Sequence, residues 1–361
     1  MGMSERATGS SPLRVLVRAD ASVEIGAGHV VRCATLANEL IARGAKVTFA
    51  CRQLPGDLND WLRAKGFSVL AWQADDPAET QTLCMQLGQL GFSGSNPFDW
   101  LAVDHYGLSA GWETQMRSVA RRVLVLDDLA NRPHDCELLI DTGDLTRNTG
   151  RYQALTAPGC RLLLGPQYAL LRSDFARFRE RMRVSRSQSV SRVLIFFGGS
   201  DPTGETLKAI AALRDWAPLF RVDVVVGAAN PRREEIQAEC AALPGFDFHC
   251  QVEDMAERMV LADLAIGAGG TATWERLCLG LPAIVIAVAD NQLEISRQVC
   301  EAGAQVFLGA SGSVSENDLR EAILALANAP GRRAAMSDSA VRMVDGLGAQ
   351  RVAKIILNWP G

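Results

Sequence analysis

The chain of 361 residues is poor in several features that would point directly to a function. It has four histidines, His29, His105, His134 and His249, with no H-x-x-x-H or C-x-x-C spacing, which removes the usual frameworks for a zinc site. No G-x-S-x-G elbow is present, which argues against a serine hydrolase. No Walker lysine follows the glycine runs, which disfavours P-loop chemistry. Positive charge is not in excess either: the net charge is −4, so no overall field exists to hold a nucleic-acid backbone. The one basic stretch, Arg177 to Arg192, holds six arginines but is interrupted by Glu180 and four serines, and reads as a solvated linker over 176–191. No apolar segment follows a basic start, and Met1 to Ser11 is small and polar, so neither a signal peptide nor a membrane anchor is expected. Residues 1–12 read as a disordered tail. The nine cysteines are odd in number and most lie inside apolar runs, the pattern of buried thiols in a reducing cytosol, which makes the expected location cytoplasmic.

What is present is the composition of a globular protein, 48% apolar and 22% charged. The length points to two domains. Short β-branched runs alternate with segments of helical period, the pattern of parallel βαβ units. Leu13 to Arg18 reads as the first strand. Val30, Cys33, Ala34, Ala37, Leu40 and Ile41 then mark a buried helix face, with Gly44 beyond the C-terminus of that helix. Further strands are expected at Val47 to Cys51, Phe67 to Trp72, Trp100 to Val103, Val123 to Leu126 and Leu138 to Ile140. A second series runs through Val193 to Phe197, Val222 to Val226, Leu264 to Ile266, Ile284 to Val288 and Gln305 to Leu308. The expected architecture is two Rossmann-like, doubly wound α/β domains, 13–175 and 192–345, facing across a cleft. Without coiled-coil heptads, a monomer is the default.

Ligands of open α/β sheets bind beyond the carboxyl ends of strands, so the loops there are the candidates. In Gly26-Ala27-Gly28-His29 two glycines permit a tight turn and His29 falls in the first turn of a helix. The positive end of the helix dipole there disfavours an imidazolium and favours a neutral ring able to deprotonate water. The alternative is a histidine that caps or packs. In Gly267 to Glu275, the backbone N–H groups near Gly269 and Gly270, with the Thr271 or Thr273 hydroxyl, form an anion cradle suited to a diphosphate, and Glu275 can accept from ribose hydroxyls. A plain tight turn is the other reading. Ser200, in Gly198 to Gly204, can reach the same ligand, or the loop is simple capping with Asp201 as N-cap and Pro202 in the first turn. Asn291 and Gln292 offer amides that read sugar hydroxyl or acetamido groups. Asp104 and Tyr106 would line the opposite wall, although Asp104 and His105 fit a structural network equally well.

Taken together, these loops resemble the nucleotide-sugar hydrolases of pseudaminic acid biosynthesis, which act on UDP-2,4-diacetamido-2,4,6-trideoxy-β-L-altropyranose. The resemblance runs from about Leu13 to Leu347. It is carried by Arg18 to Ser22, Gly26 to His29, Asp127 to Arg132, Gly165 to Arg172, Phe197 to Asp201 and Gly267 to Gln292, in that order. The family is related to GT-B glycosyltransferases such as the UDP-GlcNAc transferase of lipid II synthesis, to which Ala262 to Leu264, Trp274-Glu275 and Leu281 to Ala283 are similar. The resemblance implies a GT-B-like fold, a UDP-sugar as partner with UDP in the C-terminal lobe, and no cofactor or metal. It places the catalytic base on His29, a sugar-contacting asparagine on Asn291 and the ribose-binding acid on Glu275. It also implies that the last helix, within 346–361, packs back on the first lobe.

Overall fold

The computed structural model describes residues 11–73, 79–181, 189–216 and 219–360. Most of the expected tail (1–10) and the middle of the expected linker (182–188) lie outside the described residues.

The first lobe runs β1 (Arg14–Ala19), α1 (Gly28–Ile41), β2 (Lys46–Gln53), α2 (Asn59–Ala64), β3 (Ser68–Gln73), α3 (Glu79–Gln89), β4 (Trp100–Asp104), α4 (Ala110–Met116), β5 (Val123–Leu126), β6 (Leu138–Asp141) and β7 (Arg161–Leu164). Its seven strands are ordered β3-β2-β1-β4-β5-β6-β7 and all pair in parallel. Central strands such as β4 and β5 are buried along their whole length, as a sheet covered by helices on both faces requires. Ile41, expected on the buried face of α1, is 43% exposed, because the apolar stripe runs out in the last turn of the helix.

After α5 (Ser173–Arg181), the second lobe runs β8 (Arg192–Phe196), α6 (Glu205–Leu213), β9 (Arg221–Val226), α7 (Arg233–Ala242), β10 (Phe246–Cys250), α8 (Met255–Leu261), β11 (Leu264–Ala268), α9 (Ala272–Cys278), β12 (Ala283–Ala287), α10 (Leu293–Glu301), β13 (Val306–Ala310), α11 (Glu316–Ala327) and α12 (Pro330–Met343). Its six strands are ordered β10-β9-β8-β11-β12-β13, again parallel. Both sheets therefore reverse direction of growth beside their first strand, between β1 and β4 and between β8 and β11. At such a switch point the loops diverge and leave a crevice.

The expected linker is corrected in part. Residues 176–181 belong to α5, whose Phe175 and Ala176 are buried, and Arg179 donates to the carbonyls of Cys278 (2.9 Å) and Val341 (2.6 Å). Two aromatic rings three residues apart, Phe175 and Phe178, give the segment an apolar side that outweighs its arginines. Ala169 and Leu171 are already packed into the core of the second lobe. The chain returns through 344–347 to α13 (Gly348–Leu357), which lies on α1 in the first lobe, with Val352, Ala353 and Ile356 in the same core as Ala37 and Leu40. The outgoing and returning segments touch: a Cβ on Gly348 would stand 2.2 Å from the Ala169 carbonyl, so only glycine allows that approach. Arg351 adds a bond to the Gln167 carbonyl at 2.8 Å.

Candidate functional site between the lobes

At the switch point of the first sheet, β1 leads through a tight loop into α1, and β4 ends beside it at Asp104. An antiparallel bridge closes the loop, with Gly26 N donating to Ser22 O at 2.8 Å and Gly26 in the left-handed region (φ 80°). The preceding Asp20 is held by Arg18 (2.6 Å) and Arg52 (2.7 Å), which fixes the end of β1. His29, 8% exposed, is in the first turn of α1. Its Nδ1 lies 2.5 Å from Asp104 Oδ1, and Arg32, one turn along the helix, donates to both Asp104 oxygens at 2.6 Å. Burial opposes ionisation of Asp104, but Arg32 and His29 outweigh it and hold the carboxyl well below the usual carboxylate range. An ionised Asp104 is an acceptor for an Nδ1–H, an arrangement that turns Nε2 away from the carboxylate.

Tyr106 stands edge-on to the His29 ring, centroids 4.7 Å apart. Its hydroxyl donates to Asp128 (3.3 Å) and accepts from Asn291 Nδ2 of the second lobe (2.8 Å). Burial, with Asp128 adding to it, pushes the phenol up, so it stays protonated. His105 turns the other way, accepting from Gly107 N (2.9 Å) and lying 3.0 Å from Arg52, a structural position.

The second lobe presents its glycine loop opposite. Gly28 lies against Thr271, whose Oγ1 is 3.1 Å from where a Gly28 Cβ would be. The Gly269 amide, expected to be free for an anion, instead donates to Gln292 Oε1 (3.1 Å), which also accepts from Val288 N (3.1 Å). Gln292 thus ties the loops after β11 and β12 together. Its oxygen is consumed, because two buried strand ends leave amides that need an acceptor. The amides of Gly270 and Thr271 have no hydrogen-bond partner among the described residues. Glu275, one turn into α9, lies apart from the His29 cluster; burial pushes its carboxyl up to about 7 against the opposing pull of Arg172 and Arg276.

Ser200 is buried just after β8. Asp201 accepts from Glu205 N (3.0 Å) and Thr206 N (2.8 Å), but α6 starts only at Glu205, with Gly204 in the left-handed N-cap position. Asp201 therefore satisfies the helix amides from three residues upstream, and Pro202 lies in the intervening turn.

The structure brings His29, Asp104, Tyr106 and Asn291 into one chain of contacts, and Gly28 against Thr271. Sequence reasoning assigned no role to Arg32 or Asp128. Arg32 sits at the i+3 spacing from His29 that puts both on one helix face, a signal available from sequence. Among the described residues no cluster has the make-up of a metal site, and no helix is long and apolar enough to cross a membrane.

Residues 193–354 match the Glycosyltransferase family 28 C-terminal domain. The chain is 27% identical over 354 residues to the spore coat polysaccharide biosynthesis protein SpsG of Bacillus subtilis, covering 95% of this chain and 98% of that one. It is 24% identical over 296 residues to the UDP-2,4-diacetamido-2,4,6-trideoxy-beta-L-altropyranose hydrolase of Campylobacter jejuni, covering 81% and 98%. Among solved structures, MurG of Acinetobacter baumannii superposes with a TM-score of 0.65 at 16% identity, over 96% of this chain and 99% of that one. The chain accordingly has the GT-B fold, two parallel-sheet α/β lobes across a cleft, and its second lobe matches the glycosyltransferase family 28 C-terminal domain.

Proposed function

We propose that this protein is an enzyme acting on a nucleotide sugar, and specifically that it hydrolyses a UDP-linked 2,4-diacetamido-2,4,6-trideoxyhexose to UDP and the free sugar. The observation that carries the reading is the Arg32–Asp104–His29 chain, which orients one imidazole next to Gly28, itself against Thr271 of the second lobe's glycine loop. UDP sits in the second lobe, with the diphosphate on the amides of Gly270 and Thr271 and the Thr271 hydroxyl, and the ribose hydroxyls on Glu275. Asn291 and the Gln292 amide nitrogen face the sugar, and Gly26, Ser200 and Gly269 shape the walls. His29 Nε2 takes a proton from water as its oxygen bonds to the anomeric carbon. The C–O bond to the diphosphate breaks, its electron pair leaving on UDP, with inversion at the anomeric centre. Amide dipoles at the glycine loop stabilise the charge that develops on the leaving group. Support for the sugar comes from the 24% identity to the Campylobacter jejuni hydrolase over 81% of this chain and 98% of that one.

The match of the second lobe to a glycosyltransferase domain favours a second reading, in which an acceptor hydroxyl replaces water on the same donor lobe. The Tyr106 ring edge-on beside His29 and its hydrogen bond to Asn291 narrow the approach, which suits water better than a sugar or lipid acceptor. A proton NMR time course with the UDP-sugar and no acceptor separates the two. Rapid release of UDP and an inverted free sugar supports hydrolysis; strict dependence on an added acceptor excludes it. His29→Ala should bind UDP-sugar and lose about 10²–10⁴-fold in turnover.

A further inference from the structure

Beneath the glycine loop lies a buried cation that makes no ion pair among the described residues. Arg276, in α9, is 2% exposed. Its Nη2 donates to the Ala268 carbonyl at 2.8 Å and to Thr273 Oγ1 at 3.0 Å, both neutral groups, and its buried Nε has no partner among the described residues. Nη1 is 3.2 Å from where a Gly267 Cβ would be, so the guanidinium is pressed against the Gly267 and Ala268 main chain. Burial lowers its pKa to about 10, which still leaves it charged at neutral pH. The neighbouring Glu275 attracts it electrostatically but makes no ion pair with it among the described residues, and a buried cation without such a contact is unfavourable unless something anionic comes near. The residues that follow this main chain, Gly270 and Thr271, carry the two amides with no partner among the described residues.

We infer that Arg276 is a positioning residue for a nucleoside diphosphate: it fixes the strand end that presents the Gly270 and Thr271 amides, and its charge, acting through the loop without contact, attracts the diphosphate. This inference rests on the reading of the second lobe as the UDP site. A charge screened by protein and not by water acts over such a distance with little loss to salt. Its effect falls on the diphosphate and not on the base or ribose. Arg276 therefore sets the preference for UDP over uridine.

The experiment is calorimetric binding of UDP and of uridine to the full chain, to R276M and to R276K. Binding of UDP by the wild-type chain is the first reading; its absence overturns the parent assignment, and this inference with it. Where the wild type binds, R276M should lose about tenfold in UDP affinity, the equivalent of about 1.4 kcal/mol, with uridine affinity unchanged. R276K should keep most of the preference. Equal losses for both ligands in R276M, or no loss, leave Arg276 an architectural residue and overturn the inference while leaving the UDP site standing. If circular dichroism shows R276M unfolded, R276Q, which keeps donors but removes the charge, decides: a UDP-to-uridine affinity ratio that falls about tenfold supports the inference and an unchanged ratio overturns it.

Discussion

Replacing Glu275 by glutamine should stabilise the ligand-free protein at alkaline pH while weakening its hold on UDP. Burial raises the Glu275 carboxyl from an ordinary 4.5 to about 7. At about 1.4 kcal/mol per tenfold change in proton affinity, that rise corresponds to roughly 3 kcal/mol, taken as an upper value. The folded chain holds this proton more tightly than the unfolded chain. The stabilising contribution is therefore complete below the ordinary value of 4.5 and is lost as pH rises through about 7. Glutamine keeps the neutral shape at every pH. Urea unfolding of the two proteins near pH 5 and near pH 8.5 should show the stability difference moving in favour of E275Q by up to about 3 kcal/mol. Comparing the two chains at each pH cancels the other groups that titrate in the range, His134 among them. Near pH 8.5, where the carboxyl is ionised, the same substitution should cost about 1.5–3 kcal/mol in UDP affinity, the range for a hydrogen bond to a charged acceptor. A stability difference that does not change with pH would refute the reasoning, because it would mean that the carboxylate is not disfavoured where it sits.

His134 is buried between Glu113 (2.7 Å) and Asp127 (3.8 Å); burial works against its charged form, but these partners outweigh it and raise its pKa to about 9. Its contribution should be full below the ordinary histidine value and lost as pH rises through about 9, so H134Q should flatten the wild-type decline in Tm across that window. Asp104→Asn should leave UDP affinity nearly unchanged and cut turnover about 10²-fold or more, because Nδ1 loses the acceptor that fixes the tautomer; normal turnover would remove Asp104 from the mechanism. Gly269→Ala puts a Cβ 2.2 Å from Ser296 Oγ and should destabilise the chain by about 1–3 kcal/mol, with Ser296→Ala in the same chain recovering part of the loss in thermal melts.

The architecture was legible because its signals are local. The runs at β1, β4, β8 and β11 are apolar and β-branched, and each is closed by glycine or a polar turn, so strand and loop could be placed from composition alone. The segment Arg161–Leu164 is too short and too charged at its start to read as a strand, and β10 (Phe246–Cys250) carries Asp247 and His249, so pairing with neighbours decides both. The linker misread has the same origin: six arginines dominate the composition of 177–192, whereas the fate of its first residues depends on where Phe175 and Phe178 find cover. At the site, His29 was visible from its place after a strand and two glycines. Its setting was not, since Asp104, which pairs with His29, and Asp128, which pairs with Tyr106, lie at or beyond the ends of β4 and β5 and come together only through the order of the sheet. Gln292 shows the opposite limit: an amide after a strand end is as able to close a loop as to read a ligand, and only the distances to Gly269 and Val288 decide.

The two crossings between the lobes lie side by side, Gly348 on Ala169 and Arg351 on Gln167. Mechanically this is a leaf hinge: two ribbons fastened along one line resist twisting and sliding but bend easily about that line. Bending about that line would have to break the Asn291–Tyr106 hydrogen bond together with the Lys65–Glu253 and Leu145–Gln298 contacts that also span the lobes. Tyr106, edge-on to His29, holds one of these bonds, so any displacement that separates the lobes along the hinge line also moves the ring beside the imidazole.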